Sequence, residues 1–167
     1  MTNRPGRRPL VPHSSSSAAV TPVALLAPGP ASGEWELVRP SAAGGTPTRQ
    51  AFATLEAAAV NLDDAERFVL ALPLSLGLVQ RLTLPAAEPA ELEDMARIQL
   101  EKILPYPVEA VSLALTEIAR TDSEATVAVD TVHADRLAAL CEPLVTRGAW
   151  PLRVVFHVRA LAAGLAA

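Results

Sequence analysis

The stretch QLEKILPYPVEAVSLALTEIA, residues 99–119, holds the joint on which the fold of this chain depends. Its first part continues an amphipathic helix. Leu92, Ala96, Leu100 and Ile103 recur at helical spacing with Met95 and Leu104 beside them, leaving Arg97, Glu101 and Lys102 for the solvent side. Leu104-Pro105-Tyr106-Pro107 then stops the helix, because proline cannot donate to the helical ladder and pushes its predecessor toward extended geometry. The chain passes at once into the strand AVSLALTEIAR (110–120), the turn TDSE and a second strand, ATVAVDTV (125–132), which together predict a hairpin.

Working outward, GLVQRLTL (77–84) alternates, with Leu78, Gln80, Leu82 and Leu84 on one face, and ends at Pro85. The helix opens at Glu88-Pro89, where Glu91, Glu93 and Asp94 complement the positive end of its dipole. Downstream, a helix over 133–147 carries Leu137, Leu140, Leu144 and Val145, with Pro143 predicting a kink; Gly148 stops it and PLRVVFHV (151–158) reads as a last strand. From residue 77 the order is β-α-β-β-α-β, a ferredoxin-like arrangement with two helices on one face of a small antiparallel sheet. The prolines then have a purpose: they fix the corner where the first helix reverses into the hairpin.

Before this unit, PVALLA (22–27) and EWELVR (34–39) predict two strands around PGPASG. Residues 48–61 predict a helix capped by Thr46 or Thr48, with Phe52, Leu55, Ala59 and Leu62 on one side. RFVLALP (67–73) is a continuous apolar run, as expected of a buried central strand. The class is therefore mixed α/β (α+β), divided as a disordered tail (1–20), a first subdomain (21–73) and a second (74–167). The tail has a basic run before an apolar one, but Pro9, Pro12, Pro22 and Pro28 break the pattern of a signal peptide.

The net charge of −4 conceals an asymmetry. Arg4, Arg7 and Arg8 lie in the first ten residues, so the rest carries eleven Lys/Arg against eighteen Asp/Glu. That balance argues against nucleic acid as a partner, since phosphates need clustered cations. One cysteine, Cys141, excludes an internal disulfide or a multi-cysteine metal site and suits a reducing compartment. No apolar run approaches the length of a membrane span.

The chemistry-bearing candidates have structural explanations. Asp130, His133 and Asp135 in VDTVHAD are read as a strand end and helix cap, with Thr131 or His133 capping, rather than as metal ligands. Successive acids from Glu88 to Asp94 are a solvated first turn, not paired catalytic carboxylates. Cys141 is read as a small buried hydrophobe, and Trp35 and Trp150 as edges of the core. No catalytic, cofactor-binding or metal-binding residue is expected. Tyr106, the one tyrosine, is held between two prolines, either as a contact anchor or packed over the end of its own sheet.

Several of these pieces resemble the PilM and GspL proteins of type IV pilus and type II secretion machinery. The resemblance lies in ALPLSLGLVQRLTLP (71–85), AELEDMARIQLEKILPYPVEAV (90–111), ATVAVDTV and LVTRGAWPLRVVFHVRALAAGL (144–165). It implies an actin-like (ribonuclease H-like) first subdomain, here truncated, followed by the inserted ferredoxin-like subdomain. It implies a non-catalytic assembly protein, cytoplasmic and peripheral to the inner membrane, that touches the membrane only through partners. Those partners would be a PilN-like tail or the assembly ATPase, with homo-oligomerisation an open expectation. Arg81, Gln99, Lys102 and Tyr106 are the residues expected on the partner face. The departure is VALLAPGPASGEWELV, which has no Asp where an actin-like phosphate loop carries its acidic residue, so nucleotide binding is not carried over. Two alternatives stay open at this level: half of an actin-like ATPase, and a free-standing ferredoxin-like domain that binds a small regulatory ligand.

Overall fold

The computed structural model describes residues 23–41, 45–63 and 66–157. In chain order the elements are β1 (Ala24–Pro28), β2 (Trp35–Arg39), β3 (Thr48–Phe52), α1 (Leu55–Val60), β4 (Phe68–Leu72) and β5 (Gly77–Pro85). They are followed by α2 (Pro89–Leu100), β6 (Val111–Arg120), β7 (Glu124–His133), α3 (Ala134–Thr146) and β8 (Arg153–Phe156). The expected tail and the final RALAAGLAA segment lie outside the described residues.

Two sheets result. The first has the order β3-β2-β1-β4-β8, and the second β5-β7-β6. In the first, β1–β2 and β2–β3 are antiparallel hairpin pairs, whereas β1–β4 and β4–β8 are parallel. Parallel neighbours need a long crossover, usually helical. α1 lies in the link from β1 to β4, and α3, preceded by the whole second sheet, lies in the link from β4 to β8. Ala24, Leu26, Trp35, Leu37, Phe68, Leu70, Leu72 and Phe156 alternate inward from the first sheet onto Leu55, Ala58 and Ala59 of α1 and Leu144 of α3. Fully burying a side chain such as Leu26 or Phe68 contributes roughly 1.5–3 kcal/mol.

The second sheet holds a separate core under α2. Leu92, Ala96 and Leu100 rest on Leu84, Val111, Ala125, Val127 and Val129. Met95 and Leu104 pack alongside as expected, but Ile103 is half exposed. α2 opens on Pro89 with no side-chain cap and ends in a turn in which Leu104 N donates to Leu100 O at 2.8 Å. The LPYP corner then hands over to β6 through a single 3-10 turn, Val108–Ala110.

Three expectations change. Residues 48–52 are an edge strand, not helix: Thr48–Phe52 pairs with β2 from Arg39↔Thr48 to Trp35↔Phe52. The helix begins only at Leu55, capped by Thr54, whose Oγ1 accepts from Ala57 N at 3.2 Å. Sheet pairing across a loop outweighs a weak helical preference. Second, α3 and β8 do not complete the second sheet. β8 pairs with β4, from Val69↔Arg153 to Leu72↔Phe156, and α3 packs beside α1. The second sheet thus has three strands and one helix over it. Third, α3 runs unbroken across Pro143, and its N-cap residue His133 makes no side-chain cap, while Thr131 Oγ1 donates to Leu78 O at 3.3 Å.

Candidate partner-binding site

The two sheets meet where β4 and β8 end and β5 begins. Gly77 stands at this joint because no larger residue fits: a Cβ there would overlap the carbonyl oxygen of Thr131 and press on Phe156. Its backbone is extended, so the requirement is close approach and not an unusual dihedral. Val79 and Val132, on the face of the second sheet away from α2, join the first core and lock the sheets together.

Beside this joint lies a cavity of about 120 Å³. Leu72 and Phe156 form its wall at the C-terminal ends of two parallel strands, Leu137 comes from α3, and Ser112, Ala114 and Asp130 come from β6 and β7. Crevices outside the C-terminal ends of parallel strands are where open α/β sheets take their ligands. The lining is mostly apolar, with one carboxylate, Asp130, and two hydroxyls, Ser112 and Thr131, the composition of a site that grips a short apolar segment and fixes its direction. β6 is an edge strand, so its outer backbone groups border the same opening. His157 Nδ1 lies 3.3 Å from Leu72 O, at the end of the same strand.

The residues named from sequence fall on two faces. Arg81 pairs with Ala128 on the face away from α2, which it shares with Ala114 and Asp130 of the cavity. Gln99 and Lys102 lie at the end of α2, on the other side, where Lys102 Nζ donates to Gln99 Oε1 at 3.3 Å. Tyr106 is partly buried against the second core. Sequence reasoning missed the cavity residues themselves. The signal available was the pairing of small Ser112 and Ala114 with large Leu113 and Leu115 in one strand, which leaves one face of β6 open to close approach.

Other candidates resolve simply. Among the described residues, no three His, Cys, Asp or Glu side chains are grouped to hold a metal ion. Cys141 is half buried beside the first core, and burial raises its thiol above the ordinary value. Trp35 is in the core, but Trp150, expected at its edge, is 67% exposed. In the β1–β2 turn, Glu34 Oε2 accepts from Ala31 N at 3.2 Å, so the chain's own carboxylate already meets this turn amide. Among the described residues, no helix is long and apolar enough to cross a membrane.

No family model and no curated protein matches the sequence. Solved structures do. The cytoplasmic domain of EpsL, an inner membrane component of the type II secretion system of Vibrio cholerae, superposes with a TM-score of 0.65 at 20% identity, covering 81% of this chain and 57% of that one. A chain of the PilM–PilN type IV pilus biogenesis complex superposes with a TM-score of 0.63 at 17% identity, covering 80% of this chain and 47% of that one. This chain spans about half the length of the solved chains it matches. Its two-sheet architecture is the fold shared by the EpsL cytoplasmic domain and the PilM–PilN structure.

Proposed function

We propose that this chain is a non-catalytic platform protein of a type IV pilus or type II secretion-like assembly, working at the cytoplasmic face of the inner membrane. Its task in this reading is to hold a short peptide of a membrane partner. The observation that carries the proposal is the apolar cavity between the end of β4–β8 and the edge of β6. An extended tail seated there pairs with the free edge of β6 and places an apolar side chain against Leu72 and Phe156. The fold shared with a pilus complex and a secretion component supports the assembly role over an enzymatic one. In the β1–β2 turn the Ala31 amide already donates to the chain's own Glu34 carboxylate, so it is not free to meet a phosphate.

Calorimetric titration tests this with a synthetic peptide of the N-terminal tail of the PilN-like partner, and separately with the assembly ATPase and with Mg-ATP. Ala114→Trp fills the cavity mouth from an exposed position, so it is expected to weaken the peptide at least about tenfold without moving the melting temperature. Unchanged affinity would remove the cavity as the site. Heat from Mg-ATP would instead revive the nucleotide-binding alternative. Binding of the ATPase alone would keep the platform role and transfer it to the other branch of the resemblance.

A further inference from the structure

The edge strand β6 has two unlike halves. From Val111 to Thr116 it pairs with β7 residue for residue, Val111↔His133 through Thr116↔Ala128, and carries no charged side chain. Past Thr116 the register slips. Glu117 faces Val127 and Ala119 faces Thr126, so Ile118 is an extra residue, a β-bulge. The irregularity belongs to β6 alone, because over the same stretch β7 pairs with β5 without a break, Leu82↔Val127 through Leu84↔Ala125. Ile118 itself is 54% exposed.

The far half is also charged and tied down. Arg120 Nη2 donates to Glu117 Oε2 at 2.6 Å across the bulge, and to Ala87 O in the loop before α2 at 3.0 Å. A bulge bends the strand that carries it and increases its twist, and both this and charged side chains discourage further pairing along an open edge. The near half stays open, and it is the half beside the cavity, which Ser112, Leu113 and Ala114 line. Ser112, Ala114 and Thr116 are exposed on the face that holds the cavity. Leu113 and Leu115 are half-buried on the other face and pack against the second core.

We infer that the bulge at Ile118 is a ruler for the ligand. The inference rests on the reading of this edge as the tail-binding site, and it limits the strand that adds to β6 to the stretch beside Val111–Thr116, about six residues or ~20 Å. Side chains of an added strand lie next to those of its neighbour on the same face. Every second residue of the ligand therefore meets Ser112, Ala114 and the cavity, where small side chains leave room for a large apolar one. The residues between lie beside Leu113 and Leu115 and extend the apolar cover of the second core. The ligand class is thus an unbroken apolar run of about six residues, and whatever continues past its Ile118 end leaves the sheet.

The test is calorimetric titration of the full chain with synthetic tail peptides of about four and six residues, and of about ten residues extended in turn at either end with alternating threonine and valine, which favour strands. Affinity is expected to rise up to about six residues and then to change by less than about twofold. In the complex, hydrogen exchange should slow for amides between Val111 and Thr116 and stay unchanged for Ile118, Ala119 and Arg120. Deletion of Ile118 restores plain alternation, with Ala119 directly after Glu117, and should let one extended peptide bind at least about fivefold tighter than the six-residue one. If that variant does not fold, the length series and the exchange pattern of the native chain decide alone. No binding at any length would overturn this inference together with the reading it rests on. Binding that Ala114→Trp weakens, but that strengthens more than about twofold beyond six residues or protects Ile118 to Arg120, would overturn the ruler alone.

Discussion

The ring of Tyr106 meets that of His133 edge on, with centroids 5.1 Å apart and planes at 79°. The contact ties the proline corner after α2 to the point where β7 becomes α3. Tyr106 also packs against the second core, and His133 Nδ1 is buried without a hydrogen-bond partner, so the imidazole is held by packing. Edge-to-face pairs add about 0.5–1.5 kcal/mol to what burial alone contributes. The tight joint in LPYP is therefore a clasp as well as a stop.

Tyr106→Ala is accordingly expected to cost about 2 kcal/mol in urea denaturation, from lost packing and the lost ring pair. Tyr106→Phe, which keeps both, should stay within about 0.5 kcal/mol of the native chain. An alanine variant of native stability that has lost partner binding would return Tyr106 to the role of surface anchor.

Gly77→Ala should be far more damaging than its one added methyl suggests. The atom it would overlap is a backbone oxygen, that of Thr131, which cannot swing aside as a side chain does. A loss of about 3 kcal/mol or more is expected, together with loosened contact between the sheets. Thermal unfolding checks the first, and hydrogen exchange of the Gly77 and Val132 amides the second. A fully stable variant would show that the joint has room to shift.

Arg39 joins the end of β2 to the approach to β4. Its Nε donates to Glu66 Oε1 at 2.6 Å, and its Nη2 donates to Glu66 Oε2 and to Asn61 O, each at 2.7 Å. This hydrogen-bonded guanidinium holds the Glu66 carboxyl below its ordinary value of 4.5, against the opposing effect of burial. The unfolded chain then takes up the proton first. The stabilisation is complete above that ordinary value and is lost as pH falls through the lowered one. Glu66→Gln should cost about 1 kcal/mol at neutral pH, a modest figure because the pair is partly solvated. Urea titrations from about pH 7 down to about pH 3 should show the two proteins converging. A difference that persists in acid would assign the effect to packing.

The split placement of the expected partner residues separates their effects. Arg81 shares a sheet face with Ala114 and Asp130 of the cavity, whereas Lys102 lies just past the end of α2, beyond the other face. Arg81→Glu is expected to change tail-peptide affinity by about threefold or more, and Lys102→Glu by less than about twofold. Equal effects in the same titration would mean that the peptide does not lie on the cavity side.

The strands around the LPYP corner were legible because each carries its own alternation and ends at its own proline or turn. Phe68–Leu72 was legible as a central strand because parallel strands covered on both faces read as unbroken apolar runs. Thr48–Phe52 was not. Its residues are almost all exposed, so no burial pattern marks it, and only pairing with β2 makes it a strand. The cavity was out of reach for a related reason: its walls come from β4, β6, β7, α3 and β8, and nothing local relates Leu72 to Ala114.

By itself, then, the sequence determined the order of most elements, the stop at Pro105 and Pro107, the faces of α2 and the resemblance to the secretion and pilus proteins, because periodicity, proline geometry and capping act within a few residues. The tertiary structure alone decided that Arg153–Phe156 lies parallel to Phe68–Leu72 in the first sheet and not in the second. That choice depends on which exposed edge and which apolar face are free once the chain has folded back on itself. A four-residue strand carries no record of its partner, so the joint between the sheets, and the cavity beside it, exist only when residues some eighty positions apart are brought together.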